Sequence, residues 1–173
     1  MRLVIVGNSG SGKTSLARVL AQRFNLLRLE LDEIFWVPGT AEAREPEVVE
    51  AELAAFLERH SGWIVEGVYA GLARQAAQHA DALVWLEPGL EACLANTEAR
   101  AFEPEKFADP QDQADNLPAL RDWVRAYYTR TDECSLAAHH ALFDDFSGAK
   151  LRVDSLDALA DQLSAWLARS QAA

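Results

Sequence analysis

Short apolar runs and helix-spaced apolar stripes take turns along this chain. Five runs read as strands, at 2–6, 27–31, 62–66, 82–86 and 150–154. Runs this short, dominated by Val, Ile and Leu, predict strands buried on both faces, as in a parallel sheet. Between them the period changes to that of a helix. Leu16, Val19, Leu20 and Phe24 mark one helix, and Val49, Leu53, Phe56 and Leu57 another, entered through Pro46, a favoured first-turn residue. Leu90, Cys93, Leu94 and Thr97 mark a third, after the Glu87-Pro88-Gly89 turn. Leu156, Leu159, Leu163, Trp166 and Leu167 form a last stripe, behind Asp154 or Ser155 as cap. The alternation predicts an α/β fold of three layers. Its five-stranded parallel sheet is covered on both faces by right-handed crossovers, with the ligand site at the carboxyl ends of the strands.

One stretch interrupts the alternation. Residues 103–118 hold three prolines and five acids and predict a loop, followed by helices at about 119–130 and 132–146. Leu120, Trp123, Val124 and Tyr127 fall on one face of the first of these. Residues 100–146 therefore read as a helical insertion before the last strand, placed where a lid would lie, within one domain spanning 1–173.

The most specific chemistry sits directly after the first strand. Gly7-Asn8-Ser9-Gly10-Ser11-Gly12-Lys13-Thr14 fits G-x-x-x-x-G-K-[ST] at every fixed position, with Ser15 next in the first helical turn. Such a loop turns backbone N–H groups around phosphate oxygens; its Lys reaches the terminal phosphates and its hydroxyl ligates Mg²⁺. The helix that follows points its positive dipole end at the anion. Strand, loop and helix together predict a nucleoside-triphosphate site, with ATP and Mg²⁺ as the ligands.

Carboxylates stand at the ends of the next strands. Glu30 and Asp32 are spaced to share one face of a strand, where Asp32 can take the proton of an acceptor hydroxyl or bind Mg²⁺ through water. Glu66-Gly67 follows the apolar run 63–65, the arrangement in which an acid holds Mg²⁺ opposite Thr14; Glu87 is a rival of the same form. Phe35, Trp36 and Tyr69 are candidates to line an acceptor pocket. Arg100, Arg121, Arg125 and Arg130 are candidates to neutralise a transferring phosphoryl group, Arg130 and Arg125 being taken as catalytic with Lys13 and Asp32. His139 and His140, adjacent on a helix, point about 100° apart, so one is expected to pack and the other to face solvent.

Composition narrows the partners. The formal charge is −11, and Lys occurs only at 13, 106 and 150, which argues against direct contact with nucleic acid. No apolar run approaches the roughly 20 residues of a membrane span, and with the first strand expected from residue 2 no signal peptide is expected. Cys93 and Cys134 have no ligand or disulfide spacing, as expected of reduced thiols in a cytoplasmic protein. A monomer or a homodimer fits equally.

The chain resembles the small P-loop kinases of the adenylate-kinase and shikimate-kinase type, and more closely the bacterial adenylate-kinase-like proteins labelled DNA topology modulation proteins. The resemblance rests on residues 6–14, on Leu-Glu-Leu-Asp-Glu-Ile-Phe-Trp at 29–36, on Trp-Ile-Val-Glu-Gly-Val-Tyr at 63–69 and on the helical segment before Val153-Asp154. It implies Mg²⁺–ATP as donor and phosphoryl transfer to a small acceptor, with Glu66-Gly67 matching an Asp-Gly step and Arg130 a lid arginine. Two arginines that grip an acceptor phosphate in nucleoside-monophosphate kinases are missing. Their places fall near Ala70 and Ala95, and an acid replaces the Thr-Gly after the second strand. Acid there is closer to kinases of hydroxyl acceptors. The alternative is a nucleotide-dependent regulator. A guanine-reading Asn-Lys-x-Asp is absent at Asn8, Asn25, Asn96 and Asn116, and a Leu-Ser-Gly-Gly signature is absent throughout.

Overall fold

The computed structural model describes residues 1–38, 40, 42–103, 107, 109–154, 162, 163 and 166. Its elements are β1 (Arg2–Gly7), α1 (Lys13–Phe24), β2 (Leu27–Glu30), α2 (Leu31–Phe35), α3 (Pro46–Arg59) and β3 (Trp63–Gly67). They continue with α4 (Ala70–Ala77), β4 (Ala82–Leu86), α5 (Leu90–Glu98), α6 (Pro110–Ala126), α7 (Leu136–Asp145) and β5 (Ala149–Val153). All four strand pairings are parallel, in the order β2-β3-β1-β4-β5. The chain leaves central β1 toward α1 with neighbours reached from opposite sides, so the glycine loop lies at the switch point of the sheet.

Strand alternation divides the core between the two faces. Val4, Val6, Val65, Leu83 and Trp85 point to one face, where Ile34, Val49, Leu53, Leu72 and Leu142 cover them from α2, α3, α4 and α7. Leu3, Ile5, Ile64 and Val84 point to the other, against Leu16, Ala17 and Leu20 of α1. Leu163 and Trp166 pack there too, whereas Leu156, Leu159 and Leu167 of the expected stripe lie outside the described residues. A third cluster, Cys93, Leu94 and Val124, joins α5 to α6. Among the described residues no helix is long and apolar enough to cross a membrane.

The loop expected over 103–118 is corrected in its second half: 110–118 are the first half of α6. Asp109 caps this helix, its Oδ1 accepting from the Gln111 and Asp112 N–H groups at 2.8 and 2.9 Å, and Pro110 occupies the first turn, where its missing N–H costs nothing. Pro118 stands inside the helix, a placement that costs about 3 kcal/mol and that reads as a stop in sequence. Helices α6 and α7 have different settings. Helix α7 is built into the sheet face through His139 and Leu142, whereas α6 leans on α5 and the glycine loop through Leu120 and Val124.

Candidate functional site

The glycine-rich loop after β1 is shaped by glycines at positions where a side chain would be strained or would clash. Gly10 and Gly12 have φ of 77° and 91°, in the left-handed region. A Cβ on Gly10 would lie 2.2 Å from the Cys93 carbonyl oxygen, so α5 closes directly over the loop. Asn96 reinforces that contact by donating its side-chain amide to the Gly10 carbonyl at 2.8 Å. Asn8 is 2% exposed. Its Oδ1 accepts the Ser9 N–H at 2.8 Å, and its amide donates to the Val124 carbonyl of α6 at 2.9 Å. The loop is thereby tied to both α5 and α6.

Lys13 opens α1 and folds back, Nζ donating to the Asn8 carbonyl at 2.9 Å. Burial pulls its pKa below the ordinary value; the carboxylates of Glu66 and Asp32 oppose that pull, and Arg100 adds to it. Both acids are thus within electrostatic reach of the loop lysine. Glu66 is 1% exposed in β3 and accepts a hydrogen bond from the Thr14 hydroxyl. Burial raises its pKa, opposed by Lys13, Thr14 and Arg28 and reinforced by Glu30. Glu87 stands elsewhere, binding the Tyr128 hydroxyl and Arg152.

The residues present fit a magnesium–triphosphate group. Ser11 is fully buried, yet its Oγ has no hydrogen-bond partner among the described residues, an unsatisfied acceptor and donor inside the cradle. The first-turn N–H groups of α1 have no intrahelical partner by construction. Thr14 and Glu66 form an oxygen pair suited to a hard cation, and Lys13 supplies the charge.

Beside this cradle lies an acidic and aromatic patch. Glu30 and Asp32 do not share a strand face as expected, because β2 ends at Glu30 and Asp32 falls in the first turn of α2. Asp32 Oδ1 instead accepts the Tyr69 hydroxyl at 2.8 Å. Burial, followed by the Asp32 charge and that hydrogen bond, pushes the Tyr69 pKa up, so the phenol is a fixed donor; a hydrogen bond from Trp36 opposes the shift. Phe35 stacks on Tyr69 at 4.1 Å between centroids, and Trp36 meets Phe35 edge-on at 4.9 Å. Trp36 is 37% exposed and forms the rim. Gly67 is needed for packing: a Cβ there would lie 2.8 Å from the Leu31 side chain.

The expected arginines mostly point to local partners. Arg125 pairs with Asp122 at 3.0 Å and Arg121 with Glu98 at 3.2 Å. Arg130 lies over the Trp123 ring at 3.9 Å and donates to the Trp123 carbonyl. Arg100, paired with Glu103 at 3.3 Å, lies where its charge acts on Lys13. Arg28 is the residue sequence reasoning missed. Glu30 and Glu66 are register partners in adjacent strands, and Arg28 stands 3.1 Å from each. Its signal was the Arg-x-Glu spacing on one strand face. Its pKa is raised: burial acts downward, but the bond to Glu30 and the charges of Glu66, Glu30 and Glu33 outweigh it.

His139 is fully buried and His140 is exposed, paired with Asp144 at 3.0 Å, as the helical spacing led us to expect.

No protein-family model matches the chain, and no curated protein sequence matches it. Solved structures do. A gluconokinase from Sinorhizobium meliloti 1021 superposes with a TM-score of 0.54 at 20% identity, over 98% of this chain and 90% of that one. A sugar kinase from Janibacter sp. HTCC2649 superposes with a TM-score of 0.53 at 17% identity, over 96% and 93% respectively. The likeness is one of fold: this chain has the P-loop NTPase fold, a five-stranded all-parallel sheet with helices on both faces.

Proposed function

We propose that the chain is an ATP-dependent kinase of a small polyhydroxylated, sugar-class acceptor. One observation carries the reading. Asp32, held by Tyr69 on an aromatic patch, lies within electrostatic reach of the lysine of the phosphate loop, so a base for a hydroxyl stands beside a cradle for a triphosphate. When bound, Mg²⁺–ATP supplies the transferable phosphoryl group and part of the neutralisation of its charge. In this reading Gly7, Asn8, Ser9, Gly10, Ser11, Gly12, Lys13, Thr14 and Ser15 hold the phosphates, and Thr14 and Glu66 hold the metal.

The acceptor side is read from charge. Arg28 is engaged by Glu30, Glu33 and Glu66, and Arg44 by Glu52 and the Ile34 carbonyl. A phosphorylated acceptor would meet Glu30, Asp32 and Glu66 with these cations already committed. A neutral polyol meets hydrogen-bonding carboxylates and an aromatic face for its C–H groups, formed by Phe35, Tyr69 and the Trp36 rim. Asp32 accepts the proton of the attacking hydroxyl, and Tyr69 fixes the carboxylate that receives it. Arg100 is the cation placed to reinforce Lys13; Arg125 and Arg130 would have to leave their partners to do so. Neighbours of the same fold titled gluconokinase and sugar kinase support the class of acceptor.

The test is a panel of sugars, sugar acids, nucleosides and nucleotides with Mg²⁺–ATP, read as ADP formation against Lys13→Ala. Lys13-dependent turnover with a sugar-class acceptor is expected. Turnover confined to nucleotides, or equal in Lys13→Ala, overturns the assignment. Nucleotide binding without turnover on any acceptor would instead favour a regulator of the DNA topology modulation type.

A further inference from the structure

The segment that carries Tyr69 is clasped by residues from beyond α6. His139 Nε2 lies 2.8 Å from the Val68 carbonyl oxygen, and Nδ1 lies 2.8 Å from the Tyr127 hydroxyl. A carbonyl only accepts, so Nε2 carries the proton, and Nδ1 accepts from Tyr127. The Tyr127 oxygen in turn receives Trp85 Nε1–H at 3.4 Å, a long contact. All three side chains are buried, His139 and Tyr127 completely. Each polar atom of the ring has a partner of fixed direction, so a single neutral tautomer is selected.

A second hold lies one residue on. The Ala70 and Gly71 N–H groups, at the start of α4, donate to the Glu133 carbonyl and carboxylate at 3.1 and 3.0 Å. The local N-cap, Tyr69, gives that helix no side-chain bond, so Glu133 supplies the cap from a distance. Gly71 is what admits it: a Cβ there would lie 2.6 Å from the carboxylate oxygen. Residues 68–71 are therefore positioned by 127–139. That segment starts from the end of α6, whose Val124 carbonyl receives Asn8 of the phosphate loop.

We infer that His139 is a positioning residue for the acceptor side of the site. By donating to the Val68 carbonyl it sets the direction of the Val68–Tyr69 backbone and, through the Tyr69 hydroxyl, the seat of the Asp32 carboxylate. Its other nitrogen, through Tyr127, anchors that geometry to the helix seated on the phosphate loop. The inference rests on Asp32 and Tyr69 facing the acceptor, as proposed above.

Two substitutions separate positioning from mere packing. His139→Gln places an amide donor near the position of Nε2 and keeps the bond to Val68; His139→Asn reaches only the position of Nδ1 and loses it. Amide hydrogen exchange over residues 69–73 reads the backbone hold without any substrate. Leaving a buried carbonyl unpaired is expected to speed exchange there about tenfold in His139→Asn, with α1 unchanged and His139→Gln near wild type. With the acceptor from the panel, kcat/KM for acceptor is expected to fall about tenfold in His139→Asn at unchanged ATP KM, and to recover in His139→Gln. Unchanged exchange in His139→Asn, or a Gln variant no better than Asn, overturns the inference. So does faster exchange with unaltered acceptor kinetics. In that last case Asp32→Asn tells the two failures apart: an impaired Asp32→Asn leaves the kinase reading standing, and an unimpaired one removes the acceptor-side assignment itself.

Discussion

Acidification is expected to destabilise this protein in a way assignable to one side chain. His139 binds a proton poorly in the folded chain, with a pKa pulled from the ordinary 6.5 down to about 4. Burial is the main cause; the Val68 carbonyl opposes it, and the Lys13 charge adds to it. The groups that meet the ring among the described residues are the Tyr127 hydroxyl and ring from the end of α6 and the Val68 carbonyl after β3, neither of which offers a negative charge to an imidazolium. Between pH 6.5 and 4 the unfolded chain therefore holds a proton that the folded chain refuses. The stability contributed by neutral His139 is complete above about pH 6.5 and is lost progressively as the pH falls toward about 4. At about 1.4 kcal/mol per pKa unit, that drop from 6.5 to about 4 amounts to about 3 kcal/mol. Carboxylates add losses of their own in the same range, so the observable is a difference. Urea unfolding of wild type and His139→Gln is measured from pH 8 to pH 4. The wild type is expected to lose about 3 kcal/mol more than the variant over that interval. Parallel curves would refute the reasoning, because they would mean that His139 titrates as freely folded as unfolded.

Two further outcomes follow from the site. Gly10→Ala forces a side chain onto a φ of 77° and a Cβ to within 2.2 Å of the Cys93 carbonyl, so calorimetric titration with ATP is expected to show at least about tenfold weaker binding; affinity equal to wild type would contradict the cradle. Tyr69→Phe removes the donor to Asp32 and keeps the ring stacked on Phe35. Steady-state kinetics with the acceptor are expected to show kcat lowered about tenfold at unchanged ATP KM, and an unaltered kcat would mean that Tyr69 does not set the carboxylate.

Much of the frame was legible because it obeys local rules. The apolar runs of β1, β3 and β4 give their strands, and the alternation of Leu3 and Ile5 against Val4 and Val6 divides the two core faces. The loop from Gly7 to Thr14 is a local motif and shows itself in order. What escaped depends on contacts distant in sequence. The start of α6 was hidden by proline and acid content, although Asp109-Pro110 is a sound cap and first turn. Asp32 lies two residues past the end of β2, and the change from strand to helix there broke the expected face shared with Glu30. Arg28 becomes intelligible only once Glu30 and Glu66 are register partners. Tyr69 meeting Asp32, Asn8 meeting Val124, and His139 meeting Val68 join residues that no periodicity links.

The central claim is that Asp32 serves a hydroxyl acceptor beside a triphosphate cradle. The most direct measurement follows label from γ-³²P-ATP into a neutral sugar acceptor, with ATP saturating, in wild type and Asp32→Asn. Labelled sugar phosphate is expected from wild type, with turnover at least about a hundredfold lower in Asp32→Asn and ATP affinity preserved. Undiminished labelling of the sugar by Asp32→Asn, or label passing only to nucleotide, would contradict it.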